Sequence, residues 1–263
     1  MERSFTARLV RKVLGAPKPL SFHDSFASWG EAAAAAGGYD SADIADRVLR
    51  STAAVLAGDA VFERDGVIFH EPEYRWPVLY ALALSIARHG ALKVLDVGGS
   101  LGSVYWQHRA LIPTSDITWS ILEQPKLVDR GRTLECEPVS FAANLDEVQN
   151  AGPHHVALLS SVLQYLPQPW QILDAVLDVG VDLVVMDRTP FHPGPYDIPT
   201  LQTVPAQIYP ASYPAWILSW ERMMDALDGW HIVASFPGIE PPMRTRKGVD
   251  FSWSGLIATR GNL

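Results

Sequence analysis

From residue 92 onward, short apolar runs rich in β-branched residues alternate with amphipathic stretches, an order that few folds accommodate. The runs are KVLDV (93–97), TWSILE (118–123), PVSFAANL (138–145), HVALLSS (155–161) and VDLVVMD (181–187). Between them lie SVYWQHRALI, QPKLVDRGRTL, NLDEVQNA and PWQILDAVLDVG. Right-handed strand–helix–strand units follow, which set a parallel sheet between two layers of helices. A Pro- and aromatic-rich stretch then covers 189–216, a helix is expected over 214–228, and WHIVASF (230–236) and SWSGLIATR (252–260) close the chain as strands. The expected fold class is α/β: a doubly wound, Rossmann-like seven-stranded sheet, mostly parallel, with one antiparallel strand near its edge.

Residues 1–75 read differently, as a helical N-terminal cap on a domain spanning 76–263. Helices are expected over 3–14, 28–36 and 41–57, the last capped by Ser41 and stopped by Gly58. FERDGVIF (62–69) suits a small hairpin turning at Asp65-Gly66, and WPVLYALALSIARHG (76–90) suits a helix opening at Pro77 and ending at Gly90. The segment RSFTARLVRKVLG puts Phe5, Leu9, Val10 and Val13 on one helical face and its basic residues elsewhere. Such a helix packs on its own domain or, in the alternative, meets a membrane surface or a partner.

Composition narrows the class. With 48% apolar residues and 19% charged ones over 263 positions, the chain can bury a substantial core. A net charge of −8 disfavours nucleic acid as a partner, because phosphate neutralisation needs a basic surface. The single cysteine, Cys136, allows no intrachain disulfide and reads as a small apolar residue, which suits a cytoplasmic setting. The longest apolar run, VLYALALSIA (78–87), is about half of the ~20 residues a membrane span needs, so no integral membrane segment is expected.

The stretch KVLDVGGSLGSVYW (93–106) carries the chemistry. At the tip of a strand an acid, Asp96, is followed by Gly98, Gly99 and Gly102, where backbone can approach a ligand closely beside a helix N-terminus. A dinucleotide site needs G-x-G-x-x-G and no acid ahead of it. Here the order is D-x-G-G-S-x-G, and a carboxylate at that place favours a cation or a hydroxyl over pyrophosphate. S-adenosylmethionine is such a ligand, with an ammonium, a sulfonium and a ribose but no phosphate. Glu123, ending the next strand, suits a ribose diol. The phosphate-binding pattern G-x-x-x-x-G-K-[ST] is absent, and no His or Cys spacing supports a metal.

On these residues the chain resembles class I S-adenosylmethionine-dependent methyltransferases. LDVGGSLGS, WSILEQPKLV, SSVLQYL and DRTPF are similar to the blocks of a little-characterised bacterial methyltransferase family, in the same order. The likeness runs from about FASWGEA (26–32) to YPASYPAW (209–216). DVGG and EQPKLV also resemble small-molecule O-methyltransferases of the hydroxyindole and plant phenol type, over the cofactor half only. The resemblance implies that Asp96, Gly98, Gly99, Ser100 and Gly102 surround the methionine moiety. Glu123 would hold the ribose hydroxyls, with Gln124 beside the adenine. Asn144 and Leu145 would border the adenine ring, and Ser160 and Ser161 would face the methyl end. Ser100 stands where many members have glycine, which costs little if the local φ is negative.

Methyl transfer needs orientation and, for a hydroxyl or amine acceptor, sometimes a base. In the phenol-type enzymes a histidine follows the fourth strand; Gln164 matches its place here, so the base lies elsewhere or none is needed. Asp187 and His192 are the candidates, with Asp187–Arg188 as an ion pair and His192 as a plain loop residue the alternatives. Gln164, Tyr209 and Tyr213 are expected in the acceptor pocket, with Trp76 as a possible wall, and exposed aromatics near 209–220 suggest a homodimer surface. The expected activity is methylation of a small-molecule or glycan acceptor, preferably at oxygen, with S-adenosylhomocysteine as the product and no metal. A scaffold with a cofactor pocket but no catalysis, and a nicotinamide-dependent oxidoreductase, are the rival readings.

Overall fold

The computed structural model describes residues 21–24, 26–37, 42–134, 137–204 and 211–261. The expected helix over 3–14, the Ser41 cap, Cys136 and Tyr209 lie outside them.

Along the chain come β1 (Ser21–His23), α1 (Trp29–Ala35), α2 (Ala42–Ala57), β2 (Phe62–Arg64), β3 (Val67–Phe69) and α3 (Trp76–His89). Ser28 caps α1 by accepting from the Glu31 amide at 3.3 Å, and Glu31 Oε2 accepts from the Ala27 amide, one residue before the cap, at 2.9 Å. Asp65 and Gly66 turn the β2–β3 hairpin with φ of 54° and 72°, as its Asp-Gly pair predicts. Helix α3 closes at Gly90 in the left-handed region, its amide bonded to Ile86 O.

The alternating region follows: β4 (Leu92–Val97), α4 (Ser103–His108), β5 (Ile117–Leu122), α5 (Pro125–Arg132), β6 (Val139–Ala142), α6 (Leu145–Asn150), β7 (Val156–Ser160), α7 (Pro169–Asp178) and β8 (Leu183–His192). These five strands pair in parallel in the order β6-β5-β4-β7-β8. Apolar side chains cover both faces: Leu95, Leu159, Leu173 and Val184 on one side, Leu82, Val94, Trp119 and Leu158 on the other. Burial on both faces is why these strands read as continuous apolar runs.

The remainder comprises β9 (Ile198–Val204), β10 (Ala211–Ser219), α8 (Trp220–Ala226), β11 (His231–Pro237), β12 (Met243–Arg244) and β13 (Asp250–Thr259). Strand β13 lies antiparallel to β8 and carries β11 and β12. The described sheet has eleven strands, not the seven expected. Much of the excess comes from β8, which runs past the tips of its parallel neighbours to His192. Its far end pairs with β10 through Leu218↔Phe191 and Ser219↔His192, and β9 and β1 continue that leaf antiparallel.

Two expectations are therefore corrected. The stretch 189–216 is not a loop but mostly β8, β9 and β10, and the helix expected over 214–228 is confined to Trp220–Ala226. Pro199 and Pro214 concealed the strands, since proline cannot donate to a ladder. Both sit where only one flank is paired: β1 meets β9 at 201–203, and β8 meets β10 at 218–219. Before residue 76 the hairpin expected over 62–69 is present as β2–β3, beside α4, and β1, which was not expected, joins the sheet. Among the described residues no helix is long and apolar enough to cross a membrane.

Candidate functional site

A cavity of about 950 Å³ opens over the carboxyl ends of β4, β5, β6, β7 and β8. The bend after β4 forms its floor. Gly98 has φ +67°, and a Cβ there would stand 2.4 Å from Val162 Cγ2. A Cβ on Gly99 would stand 2.4 Å from Asp96 Cγ. Gly102, at φ +92°, precedes α4 and does not line the cavity. Ser100 has φ +56°, so the expectation of an unstrained negative φ is corrected. Its amide donates to Glu123 Oε2 at 3.3 Å, which joins the tips of β4 and β5.

Asp96 and Glu123 both border the cavity. Asp96 is fully buried beneath the bend: Oδ2 accepts from Trp119 Nε1 at 2.9 Å, and Oδ1 has no partner among the described residues. Burial pushes its pKa up to about 7; the Trp119 N–H opposes the shift and the Glu123 charge adds to it. Burial also raises Glu123, against hydrogen bonds from the Gln124 and Ser100 amides. Around this half lie Gln124, Asn144, Leu145 and Asp146. Asn144 also caps α6, its Oδ1 accepting from the Glu147 amide at 2.9 Å.

The other half is built by a break in β8. Between the pairs Ser254↔Thr189 and Leu256↔Met186, Asp187 and Arg188 oppose the single residue Gly255. This bulge puts Arg188 at φ +52° and lets two consecutive side chains border one cavity, which a regular strand does not allow. Asp187, 1% exposed, is held by Arg75 through Nε–Oδ2 at 3.0 Å and Nη2–Oδ1 at 2.5 Å. Arg188 Nε donates to Glu240 Oε1 at 2.9 Å. The Arg75 amide donates to His108 Nε2 at 2.9 Å, so His108 carries its proton on Nδ1 and donates to Val104 O at 2.7 Å. Burial lowers the His108 pKa and keeps the ring neutral. Glu63 accepts from the Ser103 hydroxyl and the Gly66 amide, and burial pushes its pKa up to about 7.

The second leaf closes this half. Tyr165, in the turn after β7, donates to Gln202 Oε1 at 3.1 Å; Gln202 Nε2 donates to the Tyr213 hydroxyl at 3.2 Å; the two rings meet edge to face at 5.1 Å. Burial pushes the Tyr165 phenol up to about 12. Asp65, Ser100, Ser161 and Arg188, the described non-glycine residues at positive φ, all border the cavity. Strain of this kind persists where surrounding structure holds it, and it gathers at functional sites.

The cavity thus gathers Asp96, Gly98, Gly99, Ser100, Glu123, Gln124, Asn144, Leu145, Ser160, Ser161, Asp187 and Tyr213. It does not gather His192 or Gln164. His192 braces its own loop, with Nδ1 accepting from the Gly194 amide at 3.1 Å and Nε2 donating to Tyr196 O at 2.7 Å. Gln164 is fully buried and donates to Ser161 Oγ at 2.9 Å, and its neighbour Tyr165 borders the cavity instead. Trp76 is 66% exposed and is no wall. Nor are the described aromatics of 211–220 exposed: Tyr213 is buried, Trp216 stacks on Trp29 at 5.2 Å, and Trp220 meets Phe191 edge-on. Sequence reasoning missed Glu63, Arg75, Tyr165, Gln202, Glu240 and Trp253. Tyr165 stood in the quoted motif SSVLQYL, while Glu63 and Trp253 stood in FERDGVIF and SWSGLIATR, segments read only for their strands.

Among the described residues no group of His, Cys, Asp or Glu could hold a metal ion. No protein-family profile and no curated protein matches the chain. Solved structures to which it is similar include the N-terminal domain of EvdMO1 in the presence of SAH and D-fucose, at 17% identity over 84% of this chain and 100% of that one, with a TM-score of 0.47. Another is the Burkholderia thailandensis 1,6-didemethyltoxoflavin-N1-methyltransferase with bound 1,6-didemethyltoxoflavin and S-adenosylhomocysteine (15% identity, 86% and 93% covered, TM-score 0.39). A third is an S-adenosylmethionine-dependent methyltransferase from Mesorhizobium loti (16%, 70% and 97%, TM-score 0.43). Likeness at this level adds nothing to the site, whose chemistry follows from its own side chains.

Proposed function

We propose that the chain is an S-adenosylmethionine-dependent methyltransferase that methylates a small-molecule or glycan acceptor at oxygen and works in the cytoplasm, with 76–263 as its catalytic domain. One observation carries the reading: Asp96, Glu123 and Asp146 border the cavity around the glycine bend that follows β4. That donor set suits a cationic nucleoside and disfavours a diphosphate. Asp96 Oδ1, buried and without a partner among the described residues, fits the same ligand. Glu123 and Gln124 would hold the ribose and adenine side, Gly98 to Ser100 the methionine side, and Ser160 and Ser161 the edge toward the acceptor. When bound, the cofactor supplies a methyl group already activated on a sulfonium sulfur.

The chain's own residues then orient the acceptor and exclude water. Asp187, with both oxygens on Arg75, and neutral His108, with both nitrogens engaged, hold the wall in place. Placement of the acceptor supplies much of the rate, with effective molarities of about 10⁵ M or more for well-oriented groups. The proton that an acceptor hydroxyl gives up as its oxygen takes the methyl group would pass to a carboxylate bordering the cavity.

Calorimetry with S-adenosylmethionine, S-adenosylhomocysteine and NADH tests the reading. Binding of the first two and not the third is expected; preference for NADH overturns it. The commitment of Asp187 to Arg75 favours a second reading, a cofactor-binding scaffold without catalysis. Transfer of a labelled methyl group into cell extract supports the enzyme, and binding without transfer supports the scaffold.

A further inference from the structure

Two buried polar atoms on the acceptor side of the cavity have no partner among the described residues: Trp253 Nε1 and Glu240 Oε2. Trp253 is 4% exposed and sits on β13 opposite Pro190, beyond the bulge in β8. Glu240 lies in the segment between β11 and β12. The Gly238 amide donates to Trp253 O at 2.7 Å, and a Cβ on Gly238 would stand 2.7 Å from Trp253 Cβ, so one tight piece of backbone carries both side chains. A buried N–H or carboxylate oxygen left without a hydrogen-bond partner carries the full cost of its desolvation. Both atoms belong to residues bordering the same cavity, and a ligand there is the partner they lack.

The chemistry of that ligand follows from what surrounds them. Glu240 Oε1 is matched by Arg188 and Asp187 by Arg75, while Asp65 adds a third carboxylate near Arg188. An ammonium would bring a donor to the indole N–H, and a carboxylate would bring an acceptor to Glu240 Oε2. A hydroxyl serves both, accepting from the indole and donating to the carboxylate. The facing wall of Tyr165, Gln202 and Tyr213 is neutral and already bonded within itself. We infer that Arg188, Glu240 and Trp253 form the acceptor subsite and that it takes a neutral, hydroxyl-bearing small molecule. Its role as an acceptor subsite rests on the methyltransferase reading; its ligand chemistry does not.

The test is saturation-transfer NMR with three probes of one size, cyclohexane-1,2-diol, cyclohexylammonium and cyclohexanecarboxylate, on the full chain with and without S-adenosylhomocysteine. The diol is expected to bind in preference to either ion. Trp253→Phe and Glu240→Gln are each expected to weaken it at least fivefold, while affinity for S-adenosylhomocysteine stays within twofold. Preference for an ion, no binding of the diol, or equal binding by both variants overturns the inference. Diol binding by a chain that fails to bind S-adenosylhomocysteine supports the subsite and overturns the cofactor reading instead.

Discussion

Gly99 lies directly against the Asp96 carboxylate: a Cβ at position 99 would stand 2.4 Å from Cγ, 2.5 Å from Oδ2 and 2.8 Å from Oδ1. The carboxylate has nowhere to retreat, because Oδ2 is tied to the Trp119 indole in a fully buried setting. Gly99→Ala therefore forces the bend upward into the cavity. A loss of about 1–3 kcal/mol is expected from the overpacking, together with at least tenfold weaker binding of S-adenosylhomocysteine. Thermal denaturation and calorimetry read the two effects, and an alanine variant with unchanged values for both would show that the bend is not held by that contact.

Ser100 makes the opposite case. At φ +56° its Cβ is strained, while its amide alone serves Glu123. Ser100→Gly keeps the amide and removes the strain, for an expected gain of about 1 kcal/mol and a rise of about 2–4 °C in the unfolding midpoint. A lower midpoint would mean that the serine hydroxyl contributes more than the strain costs.

These neighbours show what the sequence exposes and what it hides. Strands buried on both faces announce themselves as β-branched runs, so β4 to β8 and the bend after β4 are legible, and so are Asp96 and Glu123 at adjoining strand tips. The second leaf is not legible, because Pro199 and Pro214 argue against strand until their one-sided pairing is known. Period-2 alternation places Asp187 and Arg188 on opposite faces, and only the bulge against Gly255 brings both to the cavity. Arg75, Glu240 and Trp253 reach the site from 112, 52 and 63 residues away from Asp187, Arg188 and Pro190 respectively, separations at which local pattern carries no information.

The Asp96 carboxyl gives the protein a pH dependence of defined sign. Unfolded, it loses its proton near 3.8; folded, burial holds the proton up to about 7. Between those values the native state binds the proton that the unfolded chain has released, so this group's contribution is full below about pH 4, falls as pH rises to 7, and is flat above. Asp96→Asn lacks the titration and keeps an oxygen for Trp119. The stability difference, wild type minus variant, is expected to decline from pH 4 to 7 and then level off. Glu63 behaves in the same way but is present in both chains and cancels. Parallel stability curves across this range would contradict the assignment.

Arg75 and Asp187 offer a test that separates structure from catalysis. The pair is bidentate, with the carboxylate 1% exposed and the arginine side chain 12% exposed. Removing one partner leaves a buried charge without compensation, which costs about 3–5 kcal/mol, whereas replacing both with apolar residues of similar volume is often neutral or better. Arg75→Met and Asp187→Leu are each expected to destabilise by that amount, and the double variant to recover most of it, measured by denaturant unfolding. Asp187 meets Ser160 and Ser161 through its backbone, which the exchange keeps, so S-adenosylhomocysteine binding should return with stability in the double variant. If instead each single variant keeps its stability and loses only turnover, Asp187 acts on the acceptor and the ion pair is incidental.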